Sequence, residues 1–257
     1  MHVYSEELSD VSRYIENNRD LSLDDHRAAF GSYLERVSRF KKVDGSTKML
    51  EIGIGTGWFP ILCEANGVSC KGLEISPQLV EYARQFGRRY GIEPDIEVAN
   101  IEEYDLGQEQ YDVIIASSVF EHVEHWHPTM KKVYDALRPG GVLFFESTNK
   151  FSLTSGEFHF PLYGWLPDSL RYRLRVARQG PDIMKLGIDF NQFTYPLLRR
   201  TFRNVGFTQI LDRLTLAKPE KIISPLKRFL VRLGKQFRPL GELTLLFAET
   251  TTFVCVK

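Results

Sequence analysis

The sequence predicts an α/β domain whose mostly parallel sheet carries helices on both faces. Three observations carry that prediction. From Met49 onward, short apolar runs alternate with helical segments, and β-α-β units joined by right-handed crossovers build such a sheet. The run Tyr111–Ser117 is apolar on both alternations, with VIIA at its centre, as in a strand buried on both faces. Turn residues separate the runs at Gly67, Ser76-Pro77, Pro139-Gly140-Gly141 and Gly206.

The elements follow in order. Residues 1–48 read as a polar, N-terminal helical segment. Across Asp24–Phe40, Ala28, Phe30, Tyr33, Leu34, Val37 and Phe40 fall near helical spacing. Lys48–Ile52 is the first strand, and Phe59–Asn66 is a helix stopped by Gly67. Ser69–Ile75 is the second strand. Ser76 caps a helix that runs to about Tyr90, with Pro77 at its first position. Asp95–Ala99 and Tyr111–Ser117 are strands three and four, Thr129–Leu137 a helix, and Val142–Ser147 strand five. A helix over Tyr195–Val205, capped by Thr194, leads to a strand at Phe207–Leu211. The chain closes on the apolar run Leu243–Phe247 and a final strand at Thr251–Val256, rich in β-formers. Residues 49–257 thus form the main domain, with insertions or caps at about 148–193 and 214–242.

Composition narrows the functional classes. The 33 basic and 33 acidic residues cancel, which argues against a nucleic-acid binder. The N-terminus lacks a basic region followed by an apolar stretch, and no apolar run approaches the roughly 20 residues of a membrane span. Cys63, Cys70 and Cys255 lack metal-ligand spacing and read as buried thiols of a reducing compartment. A cytoplasmic protein is expected, with room for peripheral contact at the inner face of a membrane.

LEIGIGTGWF, at Leu50–Phe59, marks the nucleotide turn. Gly53, Gly55 and Gly57 follow the acidic Glu51 at the end of the first strand. A dinucleotide fingerprint places its third glycine at the position held here by Trp58. Glu74 closes the second strand in GLEIS, where a carboxylate can accept from both hydroxyls of a ribose. Read singly, the glycines serve a turn and the glutamates are ordinary strand-end carboxylates.

Taken together, the E-x-G-x-G-x-G turn, Glu74, Asn100-Ile101, YDVIIASSVFEHV and LRPGGVLFFEST resemble, in order, the motifs of class I S-adenosylmethionine-dependent methyltransferases. The resemblance implies a Rossmann-like seven-stranded sheet of order 3-2-1-4-5-7-6, its last strand antiparallel, under a helical cap. It implies S-adenosyl-L-methionine as methyl donor, held by Glu51, Gly53, Gly55, Gly57, Glu74, Ile75, Asn100, Ile101 and Ser117. Asn100 departs from the family's usual Asp. No N/D-P-P-Y/F segment of the amino-methylating nucleic-acid enzymes follows the fourth strand, where ASSVFEH stands.

Methyl transfer to a neutral hydroxyl also needs a proton acceptor, and a histidine with a pKa of about 6.5 suits that task. His122 is the first candidate, with Glu121 beside it; His125 and His127 are weaker ones. The alternative role for His122 is packing beneath the site. The segment further resembles the O-methyltransferases of ubiquinone biosynthesis, whose Glu-x-x-Glu-His is associated with a divalent metal. Glu121 and His122 match it, but Ser118 replaces the first Glu, so no metal is expected. An oxygen of a small-molecule or lipid-linked acceptor is the expected target. Carbon or nitrogen acceptors, or an inactive S-adenosylmethionine-binding partner, are the alternatives.

Two basic stretches complete the reading. In 158–182, Asp168 can cap a short helix in which Leu170, Leu174 and Ala177 share one face and Arg171, Arg175 and Arg178 another, with Phe158, Phe160, Tyr163 and Trp165 nearby. In 221–237, Ile222, Leu226, Phe229, Leu230, Leu233 and Phe237 share a side, away from Lys221, Arg228, Arg232 and Lys235. Either the apolar faces pack on the core, or the stretches form a cap that admits an aromatic, acidic or lipid-linked acceptor and that can rest on an anionic membrane surface.

Overall fold

The computed structural model describes residues 9–153, 161–179 and 191–257. Its strands are β1 (Lys48–Ile52), β2 (Ser69–Glu74), β3 (Ile96–Val98), β4 (Tyr111–Ser117), β5 (Leu137–Thr148), β6 (Gln209–Asp212) and β7 (Thr250–Val256). They form one sheet of order β3-β2-β1-β4-β5-β7-β6, as the resemblance implied. β1 to β5 pair in parallel, and β7 runs antiparallel to both β5 and β6. Strand order reverses between β1 and β4, which is where ligands lie in open sheets of this kind.

Period-two alternation decides which side chains face which helices. Leu50, Ile52, Ile114, Ala116, Leu143 and Phe145 cluster with α5 (Trp126–Ala136) and α7 (Tyr195–Val205). Their neighbours Met49, Val113, Ile115, Val142 and Phe144 cluster instead with α2 (Leu23–Val37) and α3 (Trp58–Ala65). Each fully buried side chain of this size contributes roughly 1.5–3 kcal/mol. Two such layers hold the carboxyl ends of β1 and β4 in fixed register. The three cysteines are free and buried, as expected.

Local signals set several boundaries. Ser76 Oγ accepts from the Leu79 amide at the start of α4 (Pro77–Arg88), and Thr194 caps α7 in the same way. Elsewhere the structure departs from the sequence reading. α5 begins at Trp126 rather than Thr129, so Pro128 lies inside its first turn, where no N–H is needed. β5 reaches back to Leu137, which pairs with Tyr111 across a bulge. The strand expected at Phe207–Leu211 is β6, Gln209–Asp212, which runs in the direction of β1 to β5 beside the reversed β7, and the run Leu243–Phe247 falls on the end of α10 (Arg238–Leu246).

The two caps differ more. α6 (Asp168–Gln179) takes in Asp168, the expected cap, as its first residue, and its first turn reverses the expected faces. Arg171 is only 1% exposed while Leu170 is 43% exposed. The guanidinium lies over the rings of Tyr163 and Tyr172, at 5.5 and 5.3 Å, and pairs with Asp168 at 2.9 Å. Cation–π contacts and an ion pair together offset its desolvation. The side chains of Arg175 and Arg178, and both Phe158 and Phe160, lie outside the described residues. In the second cap, α8 (Arg213–Leu216) precedes α9 (Pro225–Gln236), in which Gly234 is buried and Val231 packs on the core. Of the predicted apolar face, Leu226, Phe229, Leu230 and Phe237 are exposed.

Candidate cofactor and acceptor site

The turn after β1 winds through three left-handed glycines, with φ of 71° at Gly53, 53° at Gly55 and 77° at Gly57. Gly57 is the tightest. A Cβ there would lie 2.5 Å from the Cβ of Ala83 on α4. The close helix–strand approach is therefore made at residue 57, and Trp58 is free to open α3. Its ring stacks on His26 at 5.1 Å and tilts against Tyr33 at 5.8 Å. Gly57→Ala combines a left-handed Cβ with overpacking and should cost on the order of 2–4 kcal/mol in chemical denaturation; an unchanged midpoint would contradict this packing.

Two buried carboxylates flank the turn. Glu74 is 7% exposed, and its Oε2 and Oε1 accept from the amides of Gly55 at 3.0 Å and Ser76 at 3.1 Å. Burial pushes its pKa up, opposed by the Ser76, Gly55 and Ile75 amides and by the charge of His122. The hydrogen bonds from Gly55 and Ser76 leave acceptor capacity on a carboxylate that can accept about four bonds. Glu51 is 5% exposed, and its Oε2 has no hydrogen-bond partner among the described residues; neither has the buried Thr56 Oγ1. Burial pushes the Glu51 carboxyl well above its ordinary range, and nearby Cys63 and Glu74 push the same way. An orphaned buried acceptor beside a cationic ligand group would recover its lost hydrogen bond.

The remaining sequence-predicted residues gather at the same edge. Ile75 is half-buried in the turn after β2. Asn100 uses its Oδ1 to accept from the Glu102 amide at 3.0 Å, which closes the turn after β3 and leaves its amide nitrogen as the remaining donor. Ile101 is buried, and its carbonyl accepts from Lys132 Nζ at 2.6 Å. The Asn-for-Asp departure thus falls on a residue whose oxygen serves the turn.

After β4 the chain turns sharply at Ser118, an exposed residue with φ of 53°, into a 3-10 turn over Phe120–His122. Glu121 is 0% exposed; Ser147 Oγ donates to its Oε2 at 2.9 Å and the Thr148 amide to its Oε1 at 3.4 Å. Its carboxylate ties this turn to the end of β5. His122 is half-buried, close enough for its charge to act on Glu74. His125 and His127 are exposed, and the His127 ring stacks on Trp126 at 3.8 Å. Among the described residues no three His, Cys, Asp or Glu side chains converge to hold a metal ion.

Around the predicted Ser117 and Gly55, two arrangements of neighbouring side chains were not read from the sequence. Ser117, Glu146 and Thr252 are cross-strand neighbours at the ends of β4, β5 and β7, and the Thr252 hydroxyl donates to Glu146 Oε2 at 2.7 Å. Tyr33 of α2 covers this polar row. Its hydroxyl lies 3.0 Å from Ser117 Oγ, its ring 4.6 Å from that of Phe144, and burial pushes its pKa up to about 12. Secondly, α1 (Ser9–Asn18) rests on α4, where Tyr82 donates to the Asn18 carbonyl. It brings the Tyr14 hydroxyl to 3.0 Å from the place a Gly55 Cβ would take. Burial and then the carboxylates Glu74 and Glu51 push that hydroxyl's pKa up. The helical spacing that includes Tyr33 was visible; its pairing partner 84 residues away was not.

A glycine turn at the switch point, flanked by the buried carboxylates Glu51 and Glu74, suits a nucleoside with a cationic group better than an anionic pyrophosphate. The comparisons agree. The chain belongs to the methyltransferase-domain family, whose model matches residues 19–211. That match begins within the N-terminal segment and includes all of α2. A ubiquinone biosynthesis O-methyltransferase of Xanthomonas euvesicatoria is 28% identical over 120 residues, which cover 46% of this chain and 49% of that protein. A malonyl-[acyl-carrier protein] O-methyltransferase of Acetivibrio thermocellus is 28% identical over 141 residues, covering 53% and 46%. The chain thus spans about half the length of these curated relatives.

Solved structures share the fold. A SAM-dependent methyltransferase from Archaeoglobus fulgidus superposes with a TM-score of 0.57 at 18% identity, covering 95% of this chain and 98% of that one. The phosphoethanolamine N-methyltransferase 2 of Haemonchus contortus, in complex with S-adenosyl-L-methionine, gives 0.57 at 15% identity, covering 88% and 52%. S-adenosylmethionine is the cofactor of this class, and the residues at the switch point fit it. Glu51 would hold its ammonium group and Glu74 its ribose hydroxyls.

Proposed function

We propose that this chain methylates an oxygen of a small-molecule or lipid-linked acceptor in the cytoplasm. Bound S-adenosylmethionine supplies the activated methyl group. The observation that carries the reading is the pair of buried carboxylates around the glycine turn, one with an unpartnered oxygen, beside a polar row at the ends of β4, β5 and β7. Glu74 fixes the ribose, and Glu51 the cationic end. Ser117 and Tyr33 wall the acceptor side and exclude water from it. The names of the O-methyltransferase relatives support oxygen as the accepting atom.

His122 takes the proton from the acceptor hydroxyl. Glu121, fully buried and held by Ser147, is a positioning residue that fixes the turn carrying His122. His122→Ala should lower turnover by about a hundredfold to ten-thousandfold and spare S-adenosylmethionine affinity. Equal loss of both would assign His122 to packing. A screen of hydroxylated aromatic, sugar and lipid-linked acceptors, read by release of S-adenosylhomocysteine, tests the activity. Cofactor binding without release across all of them would favour an inactive binding partner.

A further inference from the structure

α9 is amphipathic, yet it turns its apolar side to solvent. Leu226 is 68% exposed, Phe229 61%, Leu230 49% and Phe237 58%, and Ile223 just before the helix is 93% exposed. Leu226, Leu230 and Phe237 recur at helical spacing, so they share one stripe, with Phe229 beside it. The packing of α9 is confined to its C-terminal half, one turn beyond Leu230. α9 and α10 cross backbone to backbone at Gly234 and Gly241, where a Cβ on Gly241 would lie 2.5 Å from the Gly234 carbonyl oxygen and 2.4 Å from Leu214 Cδ2. α9 thus meets the protein through Gly234 and the half-buried Val231, while Leu226, Phe229 and Leu230 stand outside. A patch of leucine and phenylalanine of this kind marks an interaction surface.

Charge identifies the occupant. From Lys218 to Glu242 the chain holds seven lysines and arginines against two glutamates, in a protein whose total charge is zero. Part of that charge is spent internally: Lys218 and Lys221 pair with Glu35, and Arg238 with Asp212. Lys227 and Arg232 are exposed on α9 and form no ion pair among the described residues. An apolar stripe flanked by long cations suits a bilayer interface, where acyl chains take the stripe and anionic headgroups meet the ammonium and guanidinium groups. A second copy would bring another positive hairpin against this one. No described helix is long and apolar enough to cross a membrane, so the contact is an interfacial one.

We infer that the α9–α10 hairpin docks this protein on anionic membrane surfaces through Ile223, Leu226, Phe229, Leu230 and Phe237, with Lys227 and Arg232 at headgroup level. The inference extends the lipid-linked side of the proposed function, and it is read independently of methyl transfer. The test is flotation of the full chain with phosphatidylcholine vesicles, with and without phosphatidylglycerol, at low and high salt. Flotation with the anionic vesicles is expected, weakened by salt and by omission of the anionic lipid. The double variant Leu226→Glu/Phe229→Glu should float at least about tenfold less, while calorimetric S-adenosylmethionine binding stays at the wild-type value and reports an intact fold. Absence of wild-type flotation on anionic vesicles would overturn the inference, as would undiminished flotation of the variant. A wild-type dimer that the variant abolishes, with no vesicle binding, would assign the face to a second copy. Flotation without S-adenosylmethionine binding would count against the methyltransferase reading alone.

Discussion

Glu74→Ala is expected to weaken S-adenosylmethionine binding by about 1.5–3 kcal/mol, the range for hydrogen bonds to a charged group. The carboxylate is held ready by two amides, Gly55 and Ser76, and its loss also frees the Gly55 amide that shapes the glycine turn. Glu74→Gln keeps the side chain's shape and one acceptor oxygen, so its loss should be smaller than that of the alanine variant. Calorimetry with S-adenosylhomocysteine reads both. Unchanged affinity in Glu74→Ala would remove the ribose role.

Glu51→Gln should act in opposite directions on stability and on binding. Burial raises the Glu51 carboxyl well above 4.5 in the folded chain. The folded chain therefore binds a proton that the unfolded chain releases. The stability tied to this group is complete below the ordinary carboxylate range and is lost as pH rises from there through the raised pKa. A neutral amide removes that loss. Cofactor-free Glu51→Gln should exceed wild type by on the order of 1–3 kcal/mol at neutral pH, with a flatter dependence on pH in chemical denaturation. Its S-adenosylmethionine binding should fall by about 1.5–3 kcal/mol, because the ammonium group loses its counter-charge. A variant less stable than wild type at neutral pH would show that Glu51 serves the fold rather than a ligand. Such an exchange of stability for binding is common where a site buries a charge.

Much of this site was legible because its signals are local. The glycine turn, the Ser76 cap and the Thr194 cap are each written within a few residues, and β1, β4 and α7 have the predicted bounds. Glu51 and Glu74 close consecutive parallel strands, so chain direction alone brings them to one edge. What stayed hidden depends on distant partners. Leu137 joins β5 because Tyr111 waits across the bulge. Tyr33 matters because Ser117 meets it, and Arg171 is buried because Tyr163 and Tyr172 receive its guanidinium. For α9 the apolar stripe was plain in the sequence. Which part of that helix packs was decided by the crossing at Gly234 and Gly241.

Methyl transfer to oxygen is the central claim, and isotope-labelled methyl tests it most directly. Incubation of the full chain with S-adenosylmethionine labelled in its methyl group, over the acceptor set, should yield product with the label on oxygen. Each labelled methyl should be matched by one S-adenosylhomocysteine. Label on carbon or nitrogen would contradict the account, as would stoichiometric S-adenosylmethionine binding with no S-adenosylhomocysteine released to any acceptor.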